Sequence, residues 1–304
     1  MKTNHFFLLA CTFLLLTYSC TENTNDNLEM GRLKVVMTDA PFPFDQVSEA
    51  NVTVFKIDAR LKDSGEIELD TEVTDEDSGQ NSPFVVLMEE EISMNLLELT
   101  NGNTETMANL DVPVGTYDLV RVYVKGVNVV LRNGNTYELK VPSGEQTGIK
   151  VFITPGLTVV GGLSSDLLLD FDVSRSFIAK GNPRVEGGIK GFNFKPVIKA
   201  CNISVAGTLA GNVSTLVEES LVGLEGAQVK VFNETDTTAT FTDLDGNYMI
   251  MGLTAGAYRS VAEVDGYLGS DTMDIQINVA NKTVLDFTLE EEEVPAETTA
   301  LTGM

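Results

Sequence analysis

Aspartates two residues apart are the features of this sequence that most resemble ligating groups. Asp243, Asp245 and Asn247 have the spacing with which a calcium loop begins, and Asp170 and Asp172 share it inside an apolar run. Calcium gathers about six to eight oxygens, and its helical loop carries Gly in the sixth place and Glu in the twelfth. Here Gly246 comes fourth and Thr254 stands where the Glu belongs, so an Asp-Gly hairpin turn is the better reading of Asp243 and Asp245. Asp170 and Asp172 would leave one face of a strand about 7 Å apart, near enough to share a cation with help. Asp39 would join them if the first strand lies alongside. The alternative is an exposed face answered by Lys or Arg on a neighbouring strand. Both pairs are weak metal candidates, and nothing in the sequence calls for a cofactor.

Catalytic sets are missing parts. The only histidine is His5, near the start, so a folded domain has no Ser-His-Asp triad, Cys-His pair or His-ligated zinc. Neither a Gly-x-Ser-x-Gly elbow nor a phosphate-cradling Gly-x-x-x-x-Gly-Lys loop occurs. Paired carboxylates remain available among 45 acidic residues, which keeps a carboxylate glycosidase as the enzymatic alternative. The net charge of −25 excludes nucleic acid as a partner, because phosphate binding needs clustered Lys and Arg.

The elements that position these residues read as strands. Thr136–Val141 is apolar at every second residue, and Phe55, Ile57, Ala59 and Leu61 alternate with polar neighbours. Turn signals such as Asn133-Gly134-Asn135 and Thr154-Pro155-Gly156 separate the runs. Met94–Leu99 fits a helical turn or a strand end equally. At 304 residues, with a break near Ala200-Cys201-Asn202, the chain is expected to be all-β, two antiparallel β-sandwich domains in tandem. The acidic run from Glu290 opens a tail, 290–304, expected to be disordered. Asp75–Gly79 reads as a solvated loop.

The N-terminus has a signal pattern. Lys2 precedes the uncharged stretch Phe6–Tyr18, too short to span a bilayer, which takes about 20 residues. Ser19-Cys20 and the polar Thr21–Asn27 follow. This resembles a bacterial lipoprotein signal, in which the cysteine is acylated and becomes residue one. Thr17 stands where the lipobox has Leu. Leu8-Leu9-Ala10-Cys11 fits the letters better, but a cut there would leave Thr12–Leu16 greasy on the mature chain, so Cys20 is the expected lipidation site. Residues 1–19 are then signal peptide and 20–30 a polar, acidic tether. The chain would be held to the outer membrane through its lipid, palmitate being one of the acyl chains, since Thr21 replaces the Asp of inner-membrane retention. Its remaining thiol, Cys201, reads as buried and inert.

Two family resemblances follow. Residues 31–200 resemble the bacterial lipoprotein family of domain of unknown function 4382, through Thr38-Asp39-Ala40-Pro41, Gly115-Thr116-Tyr117 with Arg121, Pro142–Lys150, Asp170-Phe171-Asp172 and Lys195-Pro196. That likeness implies an architecture and an address, and no activity. Residues 203–289 look like a carboxypeptidase regulatory-like domain, through Gly207–Gly211, Gly226–Phe232, Asp243–Tyr248, Gly252–Tyr258 and Gly266-Tyr267. It implies a transthyretin-like, seven-stranded sandwich with a carbohydrate-binding-like fold. Some such sandwiches carry a Lys–Asp crosslink, but Lys230 and Asp286 each sit between apolar neighbours and should face solvent, which rejects that pair. The expectation is a non-catalytic surface lipoprotein that binds a glycan or a surface or host protein, with Tyr248, Tyr258 and Tyr267 as weak stacking candidates, two of the three being better read as core residues. A structural spacer in an envelope complex is the alternative.

Overall fold

In the computed structural model the described residues are 29–40, 46–62, 83–141 and 146–292, and they are almost wholly β. The first module holds β1 (Met30–Ala40), β2 (Val47–Lys62), β3 (Phe84–Met88), β4 (Ile92–Asn95), β5 (Glu105–Pro113) and β6 (Gly115–Leu131). It continues with β7 (Thr136–Leu139), β8 (Ile149–Val159), β9 (Ser164–Asp172), a helical turn α1 (Val173–Ser176), β10 (Phe177–Gly181), β11 (Ile189–Phe194) and β12 (Ile198–Asn202). Met94–Leu99 resolves both ways at once: β4 ends at Asn95, whose side chain accepts the Leu97 N–H and caps a 3-10 turn over Leu96–Glu98.

Eight of these strands form one path, β3-β2-β6-β8-β12-β9-β1-β5, with β4 and β7 paired to its flanks and β10-β11 a separate ribbon. The sheet curls over one core that includes Leu33, Val54, Tyr117, Val122, Leu157 and Phe171. Most pairs are antiparallel, but β1 runs parallel to β9, and β12 touches β8 in parallel. Period-two alternation sets what each face does. On β9, Leu167, Leu169 and Phe171 enter the core, while Leu168 and Asp170 point the other way.

Asn202 caps a second 3-10 turn, Ile203–Val205, by accepting the Ser204 N–H, and the second module begins at once. Its strands are β13 (Ala206–Val217), β14 (Ser220–Gly223), β15 (Gln228–Phe232), β16 (Thr237–Phe241) and β17 (Asn247–Thr254), then β18 (Gly256–Glu263), β19 (Met273–Ile277), β20 (Lys282–Val284) and β21 (Phe287–Leu289). One sheet runs β14-β13-β17 with β20 and β21 parallel on the far side of β13; the other runs β16-β15-β18-β19. Between them lies a separate core built on Leu209, Val213, Val231, Tyr248, Ile250 and Phe287.

The ordered fold reaches slightly beyond the sequence limits. Met30, assigned to the tether, opens β1, and Glu291 bridges Tyr267 while the Leu268 N–H donates to Glu290 O and the Glu292 N–H to Gly266 O. Gly266 and Leu268, on either side of half-buried Tyr267, give those glutamates backbone partners, so order extends past residue 290, where the tail was expected to begin. Cys20, Asp75–Gly79 and residues 293–304 lie outside the described residues.

Candidate functional site

The two modules meet along a seam made by residues that neither core uses. Val36, Thr38 and Leu168 are buried on the outward face of β1 and β9, and Cys201 stands opposite Leu168 on β12. From the second module, Met249 and Met251 alternate with the core residues Tyr248 and Ile250 on β17. Gly252 lies close against the first module. Its φ of +77° suits glycine, and a Cβ there would stand 3.1 Å from Leu168 Cδ2. The Cys201 thiol donates to Gly252 O at 3.2 Å, and Thr240 Oγ1 donates to Asn101 Oδ1 at 3.4 Å. Burial and the neighbouring Asp170 charge push the thiol pKa up, as expected of an inert cysteine.

Beside the seam, a cleft of about 210 Å³ opens between the modules. Its first-module wall carries Asp170 and Asp172 from β9, Arg175 from α1 and Lys199 from β12. Its second-module wall carries Gln228 and Lys230 from β15, with Thr237, Ala239 and Phe241 from β16. The register explains the grouping: Gln228 pairs with Phe241 and Lys230 with Ala239, so these four share the outward face while Val229 and Val231 fill the core. A larger hollow, about 340 Å³, lies on the first module alone against Gln46, Leu131, Arg132, Asn133 and Glu186. It lacks an aromatic wall.

The cleft charges are arranged unequally. Asp172 Oδ1 accepts from Ser174 Oγ at 2.8 Å and the Arg175 N–H at 2.9 Å, and Oδ2 takes Arg175 Nε at 3.3 Å. Asp172 is therefore a cap, with both of its oxygens held by the turn that follows. Lys199 sits opposite Asp170 in the β9–β12 register and reaches Asp236 at 3.5 Å. Burial pushes Asp170 up to about 6; Lys199 and Arg175 oppose the rise, while Asp172 and Asp236 add to it. Asp39 does lie on the neighbouring strand, but its register partner is Phe171, so it faces inward and accepts the Val173 N–H at 3.0 Å. The three aspartates do not converge. Among the described residues no three His, Cys, Asp or Glu side chains gather as a metal site requires.

The other sequence candidates fall as follows. Asp243 Oδ1 accepts the N–H groups of Asp245 and Asn247, closing a turn in which Gly246 has φ +79°. Asp245 is exposed at its tip. Tyr248 and Tyr258 are buried, 2% and 4% exposed, so neither ring is available for stacking; Tyr248 donates to Leu285 O at 2.6 Å. Tyr267 is half-buried against the same core. Lys230 lies on β15, whereas Asp286 lies between β20 and β21 of the other sheet and accepts the Asn212 N–H. The aromatic that reaches the cleft is Phe241, which sequence reading passed over. Its signal was the Ala239-Thr240-Phe241 alternation opposite a strand whose Val residues point inward. That pattern puts the Phe outside and buries Thr240.

A second polar cluster is structural. Arg121 grips Asp58 through Nε at 2.7 Å and Nη2 at 2.8 Å, Tyr123 OH donates to the same carboxylate at 3.1 Å, and the Phe84 ring lies 3.5 Å from the guanidinium.

Residues 30–196 match the family model described as domain of unknown function (DUF4382), and residues 208–290 match the carboxypeptidase regulatory-like domain. No curated protein matches the chain. Among solved structures, a DUF3823 family protein from Bacteroides ovatus is 21% identical over 28% of this chain and 45% of its own, with a TM-score of 0.23. A candidate carbohydrate-binding protein from Pseudomonas aeruginosa is 11% identical over 29% of this chain and 91% of its own, TM-score 0.21. The minor pilin of Streptococcus agalactiae is 12% identical over 86% of this chain and 97% of its own, TM-score 0.25. The chain spans less than half the length of the first of these. Scores this low carry no functional argument.

Proposed function

From a chain that belongs to the family of domain of unknown function 4382, an affiliation that fixes architecture and leaves chemistry open, we propose a non-catalytic binding protein of the outer membrane. It is held by lipid on Cys20 and grips a glycan or a surface protein between its modules. The observation that carries this is the cleft itself. Two modules with separate cores bring two carboxylates, three cations, an amide and an aromatic ring to one opening. Polar groups that fix orientation beside an apolar face are what a ligand site requires. The glycosidase alternative needs two free carboxylates, and Asp172 has both oxygens engaged.

The test has two arms. Fractionation of cells expressing wild type and Cys20→Ala, with labelled palmitate, reads the anchor: wild type should take up label and sediment with envelopes, and the variant should do neither. A panel of polysaccharides and surface glycoproteins, applied to the whole chain in detergent, reads binding. Uniformly flat binding overturns the gripping role. The spacer reading then takes its place, favoured by the short 3-10 turn and buried seam that join the modules.

A further inference from the structure

The cleft allows the ligand class to be narrowed. We propose that the opening between the modules is a saccharide site selective for carboxylated sugars: a ring stacks on Phe241, Gln228 and Arg175 bond its hydroxyls, and Lys230 pairs with its uronate. This rests on the binding role above and assigns its residues.

The argument starts from charge. Arg175 is paired with Asp172 and Lys199 with Asp236. The Lys230 ammonium makes no ion pair or hydrogen bond with a described residue. Lys230 stands on β15 between Gln228 and Phe232 on the outward face, with Ala239 opposite. An ammonium that a strongly acidic chain leaves unanswered in a cleft is a ready counter-charge for an anionic ligand. Size and lining supply the next step. At about 210 Å³ the cleft is smaller than the roughly 300–1,000 Å³ of drug-like pockets, and charged and amide side chains stand beside the apolar surface of its walls. A single sugar unit within a chain matches that space. Phe241 is half-buried, with ring surface still open toward the cleft. Planar amide, guanidinium and carboxylate groups on the opposing walls match hydroxyl pairs on a sugar edge. An apolar ligand would strand those groups without partners.

Asp170 adds a pH dependence. The groups facing it are Lys199 from β12, Asp172 from its own strand, Arg175 from α1 and Asp236 from the turn before β16, with the Cys201 thiol nearby. Its pKa, pushed up to about 6, means that its charge disappears as pH falls from 7 to 5. The uronate stays ionised across that range. Repulsion between the two therefore fades, and affinity for an acidic sugar should rise on acidification.

The experiment uses the whole chain in detergent with polygalacturonate, alginate and hyaluronan as carboxylated probes. Methyl-esterified polygalacturonate serves as the same sugar without charge, and dextran as a neutral chain. Wild type should bind a carboxylated probe, prefer it to its ester, and bind about threefold or more tightly at pH 5 than at pH 7. Phe241→Leu, which keeps apolar bulk without the ring, should weaken binding about tenfold. Lys230→Gln should abolish the preference over the ester. Both variants should keep the wild-type urea midpoint, since both side chains are outside the core. Binding of the ester as tightly as the acid overturns the selectivity. Binding of uronates that ignores both substitutions overturns the site and leaves the gripping role standing. Binding of dextran alone does the same. Silence from every probe, with a flat glycoprotein panel, removes both claims.

Discussion

Leu167 and Leu168 are adjacent, each 1% exposed, and point to opposite faces of β9. Leu167 belongs to the first core, whereas Leu168 lies under Gly252 of the second module. Changing either to Ala deletes the same atoms, and a buried Leu→Ala change costs about 2–5 kcal/mol. The location of that loss should differ. Leu167→Ala weakens the first module throughout. Leu168→Ala takes its loss at the seam, where about 2–3 kcal/mol corresponds to roughly a 30- to 150-fold shift toward separated modules. Cys201 reports this opening, because its thiol donates across the seam to Gly252 O. In a chain with Cys11 and Cys20 changed to Ser, labelling of half-buried Cys201 by a thiol reagent should accelerate in Leu168→Ala, by at most that factor. In Leu167→Ala it should accelerate only as far as global unfolding does. Amide exchange in β17 should rise in step for the first variant. Equal acceleration in both variants, or none in Leu168→Ala, would refute the placement of Leu168 at the seam.

Gly252→Ala should act at the same place, costing roughly 1–2 kcal/mol from its left-handed backbone, seen as a lower urea midpoint and faster Cys201 labelling. Asp58→Ala removes a bidentate partner from a pair whose side chains are 7% and 3% exposed, and should cost about 3–5 kcal/mol in urea unfolding. The apolar double replacement Asp58→Leu with Arg121→Met should cost much less; a single-variant cost near that of an exposed pair would contradict this. For Asp170, folding raises the carboxyl from 3.8 to about 6, so the native state favours the protonated form. Its ionisation therefore lowers stability above about pH 6 by up to about 3 kcal/mol, a penalty that vanishes below about pH 4. Asp170→Asn should stabilise the protein more at pH 8 than at pH 4, measured as urea midpoints at the two pH values.

Strand identity was legible because side chains on the two faces of a strand answer to different surroundings. Where Val229 and Val231 flank Lys230, the alternation alone turns the valines inward and the lysine out. Pairing was not legible. No local signal says that β1 lies between β9 and β5 and runs parallel to β9, since those contacts join residues far apart in the chain. The same limit hid the site. The sequence left open whether β1 lies beside β9; it does, but a one-residue register difference turns the Asp39 carboxylate to the other face. Tyr248 and Tyr258 take the core positions that the sequence favours for two of the three tyrosines, because period two puts Tyr248 on one face with Ile250, and Tyr258 on one face with Ala262. Phe241 was passed over because only the approach of the first module makes its outward face a wall.

The place of β1 has a mechanical consequence. It is the strand by which the chain enters the first sheet at Met30, and it lies in the interior, hydrogen-bonded along both sides to β5 and β9. A load applied through an N-terminal tether and resisted at the far cleft would run lengthwise along that strand. Its ladders would then be strained in shear, many bonds at once, rather than peeled one after another as at a free margin. The topology suits a molecule that must hold on while being pulled.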